Sequence, residues 1–200
     1  AGLTESLEAG YNNCNGTSDI LDFSAQVDLI QSIQPDVKKI GVLYTTTEAN
    51  SMSQLESFKA VCTEKGIEVV DQGVSGAADI PQAATTLASQ VDCINNFTDN
   101  NVVNNLSIVL EKANAANIPV YGSEIEQMKN GCVAGAGIDY VKLGIQTGKM
   151  AAKVLTGEAT CADLPYEIIE DYDLYLNTDA LDAMGIAVPD SVASVATKVN

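Results

Sequence analysis

The sequence contains no histidine and no tryptophan. Without imidazole, Ser-His-Asp and Cys-His triads, His-ligated metal centres and histidine acid-base steps are excluded. Basic residues are scarce: 10 Lys and Arg stand against 27 Asp and Glu, a formal net charge of -17. Such a chain repels nucleic acid and anionic membrane surfaces and has no basic stripe to offer either. No apolar run approaches the roughly 18 residues that a membrane-spanning helix needs. The N-terminal AGLTESLEAG is too polar for a signal peptide, and no Met precedes it. These features predict a soluble, trimmed chain with no targeting segment, whose parent protein starts further upstream. The five cysteines, Cys14, Cys62, Cys93, Cys132 and Cys161, show no CxxC or paired-ligand spacing. Plain thiols are expected, with no metal and no cofactor.

What is present is enough apolar material for a core: 46% of the 200 residues are hydrophobic, which suits one domain or two small lobes. Short apolar runs alternate with helical patterns. KKIGVLY precedes an amphipathic segment with Met52, Leu55, Phe58 and Cys62 on one face; IEVVDQGV precedes IPQAATTLASQ; VDCINNF precedes VVNNLSIVLEKANAANI, read as one helix; then follow IPVYG, EIEQMKN and CVAGAGI. Continuous apolar strands separated by helices predict an α/β fold with a doubly wound parallel sheet. Before Lys38, a helix carrying Phe23, Val27, Ile30 and Ile33 is predicted to be capped by Thr17-Ser18-Asp19 and stopped by Pro35. After Ile138, a helix with Val141, Ile145, Gly148, Ala152 and Leu155 on one stripe is predicted to lie close against a sheet. Two β-like runs, YEIIE and YDLYLN, a short helix through Met184 and an exposed tail VPDSVASVATKVN complete the chain.

In an open parallel sheet, ligands bind beyond the carboxyl ends of the strands, where helix N-termini present unpaired N–H groups. The predicted exits offer Glu48, Asn50 and Ser51; Thr98, Asp99 and Asn100; Ser123 and Glu124; and Asp139 with Tyr140. Tyr44, Tyr121 and Tyr140 are close in sequence. Any one of these sets reads as an ordinary helix cap. Four together on one edge have the makeup of a pocket for a small zwitterion, with Asp99 and Glu124 for an ammonium group and Ser51, Thr98 and Ser123 for carboxylate or hydroxyl contacts. Asn104 and Asn105 are expected to face solvent. A catalytic pair of Asp139 and Glu124 lacks an activated nucleophile or metal cluster beside it. CVAGAGID lacks the following turn of a phosphate loop, and the sequons at Asn15, Asn96 and Asn105 are short patterns common in an Asn-rich chain. The acidic EIIEDYD is expected to be a solvated strand edge.

GTSD at Gly16 to Asp19, IGVLYTTTEANS, TDNNVV, IPVYGSE, GAGIDYVKLGIQTGKMAAKVLTGE and DLYLNTDALDAMGI resemble, in order, the ABC-transporter substrate-binding protein family of type I periplasmic-binding-protein fold. Its characterised members look like aromatic amino acid receptors. The resemblance implies a clamshell, represented here mainly by its second lobe plus returning elements of the first. Residues 1–18 would be the tail of the first lobe and a crossing, 19–138 the second lobe, 139–176 crossings and returning elements, and 177–200 a C-terminal helix and tail. It further implies a solute-binding component of an ABC importer, not an enzyme, that holds an amino acid between two lobes and is recognised by a membrane permease. Such a protein works outside the cytoplasmic membrane, as a lipoprotein or free in a periplasm. Ser18 would lie at the first crossing, Asp139 and Tyr140 at the second, and the run near Asn177 at the third. TTTEANS departs from the proline-containing loop usual in the family, and much of the first lobe is absent. The helix over 140–156 would then lack the sheet it packs on, which predicts a homodimer or an element swap. The alternative is the ligand-sensing effector domain of a transcription regulator, which shares the clamshell; no helix-turn-helix accompanies it.

Overall fold

The computed structural model describes residues 13–168 and 172–199, and the chain divides into two units with boundaries at Leu21/Asp22, Gly137/Ile138 and Tyr172/Asp173. In chain order, β1 (Thr17–Ser18) belongs to the smaller unit. The larger unit then runs through α1 (Phe23–Ile33), β2 (Lys39–Thr45), α2 (Ala49–Glu64), β3 (Glu68–Val74), a single 3-10 turn at Ala77–Asp79 and α3 (Ile80–Ala88). It continues with β4 (Cys93–Asn95), α4 (Asn100–Asn104), α5 (Leu106–Ala115), β5 (Val120–Tyr121), α6 (Ile125–Lys129) and β6 (Ala134–Gly137). The chain returns to the smaller unit in α7 (Tyr140–Leu155) and β7 (Glu167–Ile168). It closes the larger one with β8 (Asp173–Asn177), α8 (Thr178–Ala183), α9 (Asp190–Ala193) and β9 (Thr197–Val199).

The larger unit is built on a parallel sheet in the order β3-β2-β4-β5. Two further backbone bonds, Val133 N–H to Val120 O at 2.8 Å and Gly122 N–H to Ala134 O at 2.9 Å, join β5 to the chain entering β6. There a second sheet begins, with β8 antiparallel to β6 and β9 parallel to β8. Strand alternation divides the side chains of β2 between two faces. A Cβ on Gly41 would press on Leu87 of α3, and Leu43 joins the core of Ala84, Leu87, Ile94, Val109 and Val120 beneath α3 and α5. Ile40 and Val42 therefore face the opposite layer, where α1 packs on α2. That layer is held by three mutually touching rings, Phe23, Phe58 and Phe97, with centroids 5.3 to 5.5 Å apart. Each such pair adds about 0.5–1.5 kcal/mol beyond its area burial. The doubly wound α/β architecture is thus the observed one.

Several local expectations change. The cap of α1 is Asp22, which accepts from Ala25 N–H at 3.1 Å, because Thr17 and Ser18 are drawn into β1. On α2 the buried face is Ser51, Leu55, Phe58 and Cys62, whereas Met52 is exposed. The single helix predicted after VDCINNF is two, broken at Asn105, whose amide folds back onto Asn101 O at 2.8 Å. The C-terminal tail is no loose end: Val192 and Val199 are buried, and β9 extends the second sheet. Of YEIIE, residues 169–170 lie outside the described residues, as do 1–12.

In the smaller unit, β1 and β7 pair in parallel and α7 is capped by Asp139, which accepts from the Val141 and Lys142 amides at 2.8 and 3.2 Å. Thr17 and Thr147 hydroxyls meet at 2.6 Å, and Gln146 donates to Glu167 at 2.7 Å. The buried residues of α7 are Leu143 and Met150. The stripe predicted to lie against a sheet is outward instead: Val141, Ile145 and Leu155 are 71%, 55% and 86% exposed.

Glycines carry two close approaches in the larger unit. A Cβ on Gly135 would sit 2.1 Å from Gly122 O, and one on Gly137 would sit 3.0 Å from Glu124 Cα. The first is backbone against backbone and cannot relax by a rotamer change. Gly135→Ala is expected to cost about 3 kcal/mol or more, the upper end for overpacking, measured by urea unfolding. Burial also silences three thiols: it pushes Cys62 up to about 12, with nearby Lys65 opposing the rise, and raises Cys93 and Cys132. Cys14 and Cys161 are half-buried. Iodoacetamide on the native protein is expected to label Cys14 and Cys161, and to reach the other three only in denaturant, as read by mass spectrometry.

Candidate functional site

The chain winds from β2 outward to β3, then crosses back to β4, so strand order reverses between β2 and β4. The loops leaving two strands at such a reversal part in opposite directions and leave a crevice at the carboxyl edge. Here that crevice is closed at its base by Asp99. Its side chain has no exposure and accepts four hydrogen bonds: from Thr45 N–H at 2.6 Å, Thr45 Oγ1 at 2.8 Å, Ser51 Oγ at 2.7 Å and Val102 N–H at 2.9 Å. The residue caps α4 and at the same time binds the end of β2 to the first turn of α2. Asp at the strand exit serves this because a short carboxylate has enough lone pairs for two helix starts at once.

Glu48 repeats the device nearer the surface. From the turn before α2 it accepts from Asn100 N–H at 3.2 Å, Asn100 Nδ2 at 3.1 Å and Asn101 N–H at 3.3 Å. Gln54, one turn into α2, donates to Thr98 Oγ1 at 2.8 Å, and its Oε1 is buried with no partner among the described residues. The exit of β5 joins on the other side of β4. Ser123 Oγ donates to Asn96 O at 2.6 Å, and Ser123 N–H donates to Gln127 Oε1 at 3.0 Å. Gln127 Oε1 also accepts from Asn96 Nδ2 at 3.1 Å, while Gln127 Nε2 donates to Phe97 O at 3.0 Å. Glu124 caps α6 through the Gln127 and Glu126 amides at 3.1 and 2.9 Å. The end of β6 lies directly against it at Gly137.

Glu48, Ser51, Thr98, Asp99, Asn100, Ser123 and Glu124 are therefore brought together on one rim, with Asn50 exposed on the first turn of α2. Within it, Ser51, Asp99 and Ser123 are buried, and their side chains are hydrogen-bonded within the chain. Ser18, Asp139 and Tyr140 belong to the smaller unit. There Ser18 is half-buried in β1, Asp139 caps α7, and the Tyr140 hydroxyl lies 3.2 Å from Asp19 Oδ2. Tyr121 is not a rim residue: its hydroxyl donates to Gln34 Oε1 at the far end of α1, and Tyr44 lies over Gly73 of β3. Gln54 and Gln127 were missed, because an amide on a helix reads as solvent-facing until the strand beneath it is known, whereas Asn96 belongs to the Asn-rich segment at the exit of β4. The apolar groove between α7, Asn15 and Leu164 in the smaller unit, about 290 Å³, has almost no polar lining and spends the Asn15 amide on the Cys161 and Leu164 carbonyls. It does not suit a zwitterion.

Electrostatically the rim is acidic and short of cations. Glu124 is held above the ordinary glutamate range, chiefly by burial and further by the Glu126 charge, against the pull of the Glu126 and Gln127 amides and Lys129. Among the described residues no group of three or more His, Cys, Asp or Glu could hold a metal, and no helix is long and apolar enough to cross a membrane.

The model of the ABC transporter substrate binding protein family matches residues 1–200, so the chain belongs to that family. A tyrosine-binding protein from Clostridioides difficile (strain R20291) is 36% identical over 184 residues, 92% of this chain and 53% of that protein. A crystal structure of an ABC domain from Streptococcus pneumonia in complex with L-Trp is 33% identical with a TM-score of 0.92, covering 99% of this chain and 68% of that one. A LacI family transcriptional regulator from Bifidobacterium animalis, at 13% identity and a TM-score of 0.58 over 79% of this chain and 61% of its own, shares the fold alone. The chain spans about half the length of the curated relatives it matches.

Asp99→Ala strands four donors in a buried site, and is expected to destabilise the protein by about 3 kcal/mol in urea titrations, the range for a hydrogen-bonded charge. For Glu124 the sign runs with its raised pKa. The folded state holds the proton more tightly than the unfolded chain, so its contribution favours folding at low pH and is lost as pH rises through the folded value. Carbon NMR titration is expected to place its midpoint above that of a glutamate in a short peptide, and Glu124→Gln to flatten that part of the stability profile.

Proposed function

We propose that this chain is the second-lobe portion of the solute-binding component of an ABC importer, working outside the cytoplasmic membrane as a lipoprotein or periplasmic protein. Its ligand is a small amino acid of aromatic type, and a membrane permease receives it. The observation that carries the reading is the rim itself: three neighbouring parallel strands deliver polar helix starts to one edge, in a chain 36% identical to a tyrosine-binding protein. Glu48, Asn50, Thr98, Asn100 and Glu124 are its ligand-facing groups, with Gln54 beside Thr98. The unmet Oε1 of Gln54 suits a donor such as an ammonium or phenolic hydroxyl. Ser51, Asp99 and Ser123 hold those groups in place. Binding in this reading is reversible. On its own the chain self-associates through the exposed α7 stripe of Val141, Ile145 and Leu155; light scattering showing a monomer at high concentration overturns that part.

Isothermal titration of the full-length protein with L-tyrosine and L-tryptophan tests the reading. Saturable binding of at least one is expected, and Thr98→Val combined with Asn100→Ala is expected to weaken it roughly tenfold, equivalent to about 1.4 kcal/mol. No heat with any amino acid sinks the assignment.

A further inference from the structure

A second tightly held side chain of the larger unit lies off the rim. Gln26 lies one turn into α1, is 1% exposed, and uses its whole amide. Its Nε2 donates to Asn95 Oδ1 at 2.7 Å and to Gly122 O at 3.1 Å, and its Oε1 accepts from Ala136 N–H at 2.6 Å. Asn95 is the last residue of β4, Gly122 follows β5, and Ala136 is the penultimate residue of β6. One amide thus touches three adjacent strands at the point where each gives way to its exit. The residues immediately beyond are Asn96 to Asp99, Ser123 with Glu124, and Gly137 against Glu124. Asn95 Nδ2 has no partner among the described residues, so the bond from Gln26 is what fixes that side chain.

We propose that Gln26 is a positioning residue for the ligand rim: it sets the relative register of the β4, β5 and β6 exits without itself meeting ligand. This rests on the receptor reading given above. The physical case is one of alternatives. An apolar residue at position 26 would pack the same space, as the neighbouring Val27 and Ile30 of α1 do in theirs. It would leave the Ala136 N–H and Gly122 O buried without partners, and a β6 free to shift against β5 where glycines already permit contact.

The test compares Gln26→Met with Val109→Ala, a core deletion on α5 outside the network, in the full-length protein. Both lower the melting temperature. Gln26→Met is expected to weaken L-tyrosine or L-tryptophan binding roughly tenfold, whereas Val109→Ala leaves the dissociation constant within about twofold, because losing a buried polar contact misplaces the rim and losing a methyl pair beneath it does not. Equal affinity losses in the two variants, or none in Gln26→Met, overturn the proposal. Hydrogen exchange without ligand gives an independent reading: the Ser123 and Asp99 amides are expected to exchange faster in Gln26→Met than in Val109→Ala, and identical rates overturn it. Failure of the unaltered protein to bind either amino acid removes the receptor reading, while the exchange result still decides the role of Gln26. If Gln26→Met does not fold, Gln26→Glu retains the acceptor for Ala136, loses the donors when ionised, and is read by the same two measurements.

Discussion

A carboxylate buried at the reversal of a parallel sheet is the constraint on which the rest of this molecule turns. Parallel strands leave their carboxyl ends together, and every helix that follows starts with N–H groups that need acceptors. Asp99 meets donors from the end of β2, from the first turn of α2 and from the first turn of α4. The crevice at the strand reversal is consequently not an accident of packing. It is a fixed shape, its base closed by charge-assisted hydrogen bonds that are shorter and stronger than neutral ones.

Around that base the polar groups form two tiers. The inner tier, Gln26, Asn95, Asn96, Ser123 and Gln127, is buried and joins backbone to side chain across four elements. The outer tier, Glu48, Thr98, Asn100 and Glu124, is at least partly exposed. Such a division is what a binding surface requires, since groups that meet a ligand must be held by neighbours whose own rotamers are locked. The aromatic trio Phe23, Phe58 and Phe97 supplies the apolar floor beneath the inner tier.

The two units differ in how completely they bury what they carry. In the larger one the apolar faces of α1, α3 and α5 are covered by strands, whereas α7 keeps much of its apolar surface in solvent. The acidic surface, at -17 overall, adds nothing to the fold and works against association with polyanions.

Periodicity alone was enough to determine the alternation of strands and helices from Lys39 to Gly137, because period 2 and period 3.6 are properties of neighbouring residues. It also placed polar residues at the exits of β2, β4 and β5. The same local logic failed where a distant partner outweighed it: Thr17 and Ser18 joined β7 instead of capping α1, and Val199 was buried beside β8. The division of the rim into supporting and presenting groups was beyond the sequence as well. Asp99 and Thr98 are adjacent and equally polar, yet one is sealed and the other half-open, a difference that arises only when β2 and β4 lie side by side. Burial is a property of what surrounds a residue, and only the tertiary structure assembles the surroundings.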